Sequence, residues 1–196
     1  MSSADGDIEH FDRIARFYDY FSPDSDYDVL REGLEQAERP VERVADVAGG
    51  TGRAVRAFDI SEEVVVDASA GMLAQALGHG LSCVRGDATR LPLASESVDA
   101  AVISDALHHI GDPDATLAEV ERILRPGGVV IVREYNPATV RGWFLVRGEH
   151  LMGMESTFFT PEMLVRKLNA AKLVPRVRNR GFDYTVAGVK HTSGTP

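Results

Sequence analysis

The sequence predicts an α/β fold with a doubly wound, mostly parallel sheet in which one strand near the C-terminal end runs backwards. Three observations carry this reading. Short β-branched runs alternate with segments whose apolar residues recur every three or four positions. The runs end repeatedly in glycine or aspartate, at Gly49 to Gly52, Asp67, Asp87 and Asp105. The last two runs are joined through Gly181, which leaves no chain for a crossover, so they must be antiparallel.

Taken in order, residues 1–7 are small, polar and acidic and are expected to be disordered, like 191–196 at the other end. Ile8, Phe11, Ile14, Ala15 and Tyr18 describe one apolar helix face, and that helix is expected to end near Ser22-Pro23. A second helix is predicted from Asp26 to Glu38, with Val29, Leu30, Leu34 and Ala37 inward, so that 8–38 form N-terminal helices covering one edge of the sheet. Val44 to Val47 is the first buried strand. Arg53 to Phe58 leaves room for only a short helix before the second, Val64 to Val66. Ser69 is a plausible N-cap for a helix carrying Met72, Leu73, Ala76 and Leu77, closed by Gly78.

Leu81 to Arg85 and Val98 to Ile103 are the third and fourth strands. Asp112-Pro113 places a cap and an N1 proline in order, with Leu117, Val120, Ile123 and Leu124 inward, and Pro126-Gly127-Gly128 is expected to end that helix. Val129 to Val132, uninterrupted by polar residues, suits a central strand buried on both faces. Thr160-Pro161 starts a last helix with Met163, Leu164 and Leu168 inward, and the reversed pair is Val174 to Asn179 and Phe182 to Val189.

Composition excludes several classes of function. With 196 residues, 44% hydrophobic and 26% charged, a single domain spanning 1–196 accounts for the chain. A net charge of -9 argues against a general nucleic-acid binder, because phosphate affinity needs clustered Lys and Arg. The one cysteine, Cys83, permits no intramolecular disulfide, and no leader or long apolar run is visible. A cytoplasmic protein, monomer or homodimer, without stable membrane insertion, is expected. No His, Cys, Asp or Glu set has metal-ligand spacing, so no metal is expected.

In a doubly wound sheet ligands bind outside the strand C-termini. The glycine turn, Asp67, Asp87 and Asp105 all fall at that edge. A carboxylate about twenty residues beyond a glycine turn can accept from both hydroxyls of a ribose, which suits Asp67; the competing role is a helix-capping or turn aspartate ahead of Ser69. Asp87 can accept from an exocyclic amine while the Ala88 N–H donates to a ring nitrogen, a pair that selects adenine; the competing role is an ordinary turn. Val55 stands where the dinucleotide pattern needs its third glycine, so a nucleoside without phosphate fits better than NAD.

The ordered set D-V-A-G-G-T-G, V-D-A-S-A-G-M-L, G-D-A-T-R-L-P-L, S-D-A-L-H-H-I and R-I-L-R-P-G-G resembles class I S-adenosylmethionine-dependent methyltransferases from about Val44 to Glu134. The A-G-G-T-G form and the opening F-D-R-I-A-R-F-Y-D-Y-F are similar to the quinone-biosynthesis C-methyltransferases, although a tryptophan and histidine of that group's N-terminal signature have no counterpart here. The resemblance implies a seven-stranded sheet with its antiparallel strand near one edge, and S-adenosylmethionine as cofactor. It implies that Asp46 with Gly49, Gly50 and Gly52 holds the amino-acid end, Asp67 the ribose and Asp87 with Ala88 the adenine. Asp105 would line the methyl end, with Tyr18, Ala48, Ala68 and Met72 completing the set. Ala48 stands where the family more often has glycine, so its φ should be negative or the ligand displaced.

The sulfonium already makes the methyl electrophilic, so the protein mainly has to hold a small-molecule nucleophile in line. If a base is used, His109 and Tyr135 lead the candidates, with His108, Glu134 and His150 behind them. Residues 136–159, where Trp143, Phe144, Leu145, Leu151, Met152, Met154, Phe158 and Phe159 accumulate, are expected to form a lid or substrate segment suited to an apolar or aromatic acceptor. The alternative is a regulatory module that binds S-adenosylmethionine without catalysis.

Overall fold

The structure is a computed structural model that describes residues 8, 11–16, 28–151 and 156–191. The expectations for Tyr18, the helix end at Ser22-Pro23, both termini and the side chain of His150 lie outside the described residues. Residues 11–16 form helix α1. There follow α2 (Asp28–Leu34), β1 (Arg43–Val47), a single 3-10 turn at Val55–Ala57, β2 (Glu62–Asp67), α3 (Ala70–Gly78), β3 (Cys83–Arg85) and β4 (Val98–Ser104). A second 3-10 turn, Leu107–His109, precedes α4 (Pro113–Ile123), β5 (Leu124–Tyr135), α5 (Val140–Leu151), α6 (Pro161–Ala170), β6 (Leu173–Asn179) and β7 (Asp183–Lys190).

The seven strands form one sheet in the order β3-β2-β1-β4-β5-β7-β6. Only β7 is reversed, pairing antiparallel with both β5 and β6. The order turns back between β1 and β4, which is the switch point at which such sheets open a crevice. Alternate residues of β4 feed two cores: Ala101 and Ile103 join the layer of α4 and α6, while Ala100 and Val102 face that of α2 and α3.

Two expectations from local pattern are corrected. Helix α2 stops at Leu34 rather than Glu38, because the Glu38 N–H crosses to the Gly127 carbonyl at 2.7 Å. Gly33 on its inner face packs so closely that a Cβ would lie 2.9 Å from Ile131 Cγ1. Pro126-Gly127-Gly128 does not end α4 but lies inside β5, where the register shifts between the Val98 and Ala100 pairings. Gly127 takes φ +76° there, and a Cβ on Gly128 would come within 2.8 Å of the Asp99 and Arg125 carbonyl oxygens.

This irregularity places charges at the N-terminal edge of the sheet. Asp99 is 1% exposed, and its Oδ2 accepts from the Glu42 and Arg43 N–H groups at 3.1 and 3.0 Å. Its Oδ1 pairs with Arg125 Nη1 at 2.9 Å and Arg39 Nε at 2.8 Å. Burial alone would raise its pKa, but Arg125 and the two amides hold the carboxyl below the usual carboxylate range.

Candidate functional site

The opposite edge of the sheet carries a cavity of about 440 Å³. Parallel register brings Asp46 of β1 level with Val65 of β2 and Val102 of β4, so the strands end together and their following residues converge. The cavity wall includes Asp46, Ala48, Gly49, Gly50, Asp67, Ala68, Met72, Asp87, Ala88, Asp105 and His109. It also includes Phe11, Thr51, Arg53, Ala106 and Ile110, which the sequence did not single out as site residues. Phe11 could have been found from its place on the apolar face of α1; Thr51, Ala106 and Ile110 lie inside the quoted motifs, and Arg53 directly follows one. Gly52 and Tyr135 are not on this wall.

Three positive φ angles in five residues shape the turn after β1: Ala48 +52°, Gly50 +57° and Gly52 +76°. The expectation of a negative φ at Ala48 is therefore overturned; alanine occupies the left-handed conformation at a cost of about 1 kcal/mol. Gly52 needs to be glycine for packing, since a Cβ would lie 2.1 Å from Leu81 Cδ1, and its N–H closes the turn onto the Gly49 carbonyl at 2.9 Å. A Cβ on Gly49 would meet the Asp46 carboxylate at 2.4 Å. Around Gly50 the space is open, with only Met72 Sδ within reach at 3.9 Å.

Asp67 ties the turn to α3. Its Oδ2 accepts from the Gly50 N–H and its Oδ1 from the Ser69 N–H, each at 2.8 Å. The cap of α3 is Ser69, whose Oγ accepts from the Met72 N–H at 3.1 Å, and Asp12 of α1 adds a bond from the Gly71 N–H at 2.8 Å. The cap itself thus falls to Ser69, while the bond from the Ser69 N–H makes Asp67 the turn aspartate of the competing reading. Asp87 does form the turn that competed with its adenine role: its Oδ1 accepts from both the N–H and Oγ1 of Thr89 at 2.8 Å.

The cavity is electrostatically expectant. Asp46 is 1% exposed, and among the described residues neither of its oxygens has a hydrogen-bond donor in good geometry. Burial first, and the neighbouring Asp67 charge second, push its carboxyl up to about 7, opposed by the Val55 amide. Burial also raises Asp67. Asp105, at φ +55°, pairs with Arg133 Nη1 at 2.6 Å, yet burial still pushes it up to about 6. A cavity ringed by carboxylates that resist ionisation favours a ligand that brings positive charge and hydroxyl donors.

Past Asp105 the two histidines separate. His109 faces the cavity, edge-on to Phe11 at 5.1 Å between ring centres. His108 is 2% exposed, stacked on Phe158 at 4.3 Å, with Nδ1 2.6 Å from Glu134 Oε2. Burial would lower its pKa, but Glu134 and then Glu149 and Asp105 outweigh it and raise it. Two base candidates are thereby corrected: Glu134 is fully buried against His108, and Tyr135 packs on Phe182 at 5.1 Å, off the cavity wall. In the segment 136–159, Trp143 is 51% and Phe144 65% exposed on α5, edge to face at 5.0 Å. Phe158 and Phe159 are instead buried, the latter in the core beside Tyr184, whose OH donates to its carbonyl at 2.8 Å.

Residues 45–132 match the family described as methyltransferase domain. The chain is 36% identical over 156 residues to a demethylmenaquinone methyltransferase of Mycobacterium sp. (strain KMS), covering 72% of this chain and 65% of the relative. It is 37% identical over 165 residues to the enzyme of that name from Beutenbergia cavernae, covering 77% and 65%. The chain thus spans slightly less than two thirds of the length of these relatives. Among solved structures, an S-adenosylmethionine-dependent methyltransferase from Thermotoga maritima superposes with a TM-score of 0.75 at 22% identity, over 92% of this chain and 97% of that one.

Proposed function

Because this chain carries the domain of the class I S-adenosylmethionine-dependent methyltransferases, we propose that it transfers a methyl group to a small, apolar, hydroxylated aromatic acceptor of the quinol type. The observation that carries the reading is Asp46, a buried carboxylate with no hydrogen-bond donor in good geometry among the described residues, on the wall of a cavity shared with Asp67, Asp87 and Asp105. S-adenosylmethionine is the cofactor of this domain, and its ammonium, ribose diol and adenine match what that wall offers. When bound it supplies an electrophilic methyl group on a sulfonium.

The remaining work belongs to the protein. Asp46 and the turn at Gly49 and Gly50 hold the amino-acid end, where the charge of Asp46 is recovered by an ammonium. Asp67 presents its remaining lone pairs to the ribose, and Asp87 with Ala88 takes the adenine. Asp105 and His109 border the methyl end, where an acceptor hydroxyl would lie against the His109 ring. The apolar walls exclude water, so the acceptor is held in line without competition from solvent. The exposed apolar face of α5, with Val140, Trp143, Phe144 and Leu151, suits the apolar tail of such an acceptor. The name shared by the relatives from Mycobacterium and Beutenbergia supports an acceptor of the demethylmenaquinone class.

The test combines calorimetry with S-adenosylhomocysteine and transfer of a labelled methyl group to a reduced short-chain demethylnaphthoquinone. Tight binding and label in the quinol are expected. Binding without transfer to any hydroxylated aromatic would point instead to a module that holds the cofactor without catalysis.

A further inference from the structure

We propose that His108, His109 and Glu149 bind one divalent transition-metal ion at the acceptor end of the cavity. The set is invisible to sequence spacing, since two ligands are adjacent and the third comes from α5, yet one ligand atom from each lies within 4.8 Å of the others. The orientation of each group argues for an ion between them. Glu134 Oε2 lies 2.6 Å from His108 Nδ1, so a ring proton is committed to that side and Nε2 is the atom turned toward Glu149. Glu149 Oε2 accepts from Ser156 Oγ at 2.6 Å, which fixes the carboxylate with Oε1 turned toward His108.

Between His108 Nε2 and Glu149 Oε1 the distance is 3.9 Å. That is too long for a hydrogen bond, and close to the separation of roughly 3.4 Å between two ligands each about 2.1 Å from a tetrahedral ion. Side-chain rotations of about 1 Å close the remaining gap. The charge balance agrees. His108 is 2% and Glu149 9% exposed, and two carboxylates, Glu134 and Glu149, face the one imidazole from either side, so the pocket draws positive charge, which a divalent ion taking the place of the Nε2 proton supplies. Two imidazoles and one carboxylate suit Zn²⁺ or a neighbouring first-row ion better than Mg²⁺ or Ca²⁺. His109 also lines the cavity, which leaves the fourth position open toward it. An oxygen of a hydroxylated acceptor would fill that position; this last clause alone rests on the function proposed above.

The experiment is a titration of chelator-treated protein with Co²⁺, read by its visible absorption, followed by displacement with Zn²⁺. Wild type and a control at the exposed His79, His79→Ala, should take up one equivalent. Glu149→Gln and His109→Ala should bind about tenfold or more weakly, and Glu134→Gln, which removes the carboxylate behind His108, should also weaken binding by about tenfold. Circular dichroism and S-adenosylhomocysteine affinity are measured on the same samples. Wild type that takes up no cobalt, or Glu149→Gln and Glu134→Gln that are folded and bind it like wild type, overturns the proposal. Cobalt uptake without S-adenosylhomocysteine binding would leave the metal site standing and remove the cofactor reading.

Discussion

Asp46 and Asp99 are each 1% exposed and lie on the neighbouring strands β1 and β4, toward opposite ends of the sheet. Asp99 accepts from two amides and pairs with two arginines, and its carboxyl is held low. Asp46 has no described donor in good geometry, and its carboxyl is pushed up to about 7. The same residue type, equally hidden from water but more deeply enclosed at Asp46, therefore meets two different fates. A completed shell makes a carboxylate part of the architecture, and an incomplete one holds it ready for a ligand that completes it.

The comparison breaks most readily at Asp99. Asp99→Ala would leave Arg39 and Arg125 without their carboxylate partner and two amides without their acceptor. It should cost about 3 to 5 kcal/mol of stability, measured by urea unfolding, with cofactor affinity per folded molecule unchanged. Asp46→Asn should do the reverse, weakening S-adenosylmethionine binding by about a hundredfold in calorimetry while leaving the unliganded protein at least as stable as wild type. If both variants lose stability alike, the contrast between the two edges is wrong.

The pH dependence sharpens the same point. A carboxyl raised from 3.8 to about 7 on folding binds its proton more tightly in the native state, so the unliganded protein loses stability as pH rises between those values. Asp46→Asn should flatten that segment of the stability profile. Conversely, binding that requires ionised Asp46 should strengthen about tenfold per pH unit up to near 7, with one proton released. A wild-type affinity flat from pH 5 to 7 would deny Asp46 this role. The smallest expected effect is at Ala48, where relieving the left-handed alanine by Ala48→Gly should add about 1 kcal/mol or less in thermal unfolding and leave cofactor affinity intact.

What the sequence made legible was local. Asp67, Asp87 and Asp105 each close or follow a short strand, and Asp46 stands one residue before the end of another, and in a parallel sheet such strands end on one edge, so a one-dimensional rule located a three-dimensional cavity. What it hid depends on partners distant in the chain. The sequence offers nothing to tell His108 from His109; the choice is made by Glu134 behind one ring and Phe11 against the other. Tyr135 closes β5 as Asp105 follows β4, yet it turns onto Phe182. Helix α2 loses its last turn to a bond with Gly127, and that glycine lies within a strand because of a register shift opposite Asp99. The aromatic residues of 136–159 looked alike as a cluster, but Phe159 went to the core and Phe144 to the surface for reasons of packing that composition does not encode.

The reversed strand β7 follows β6 in the chain but lies between β5 and β6 in the sheet. One side of β5, with Val129 to Val132 fully buried in the finished protein, therefore pairs only with a segment that leaves the ribosome after α5, α6 and β6. During synthesis the half of the sheet from β3 to β4, which surrounds the cofactor cavity, has all of its strand partners in place early. The half that carries α5 and the acceptor side waits for a hairpin to arrive as a wedge, with an unpaired edge exposed until it does. The two halves are thus built at different times: the half that surrounds the cavity is assembled first, and the half that carries α5, proposed above as the acceptor side, is locked in last.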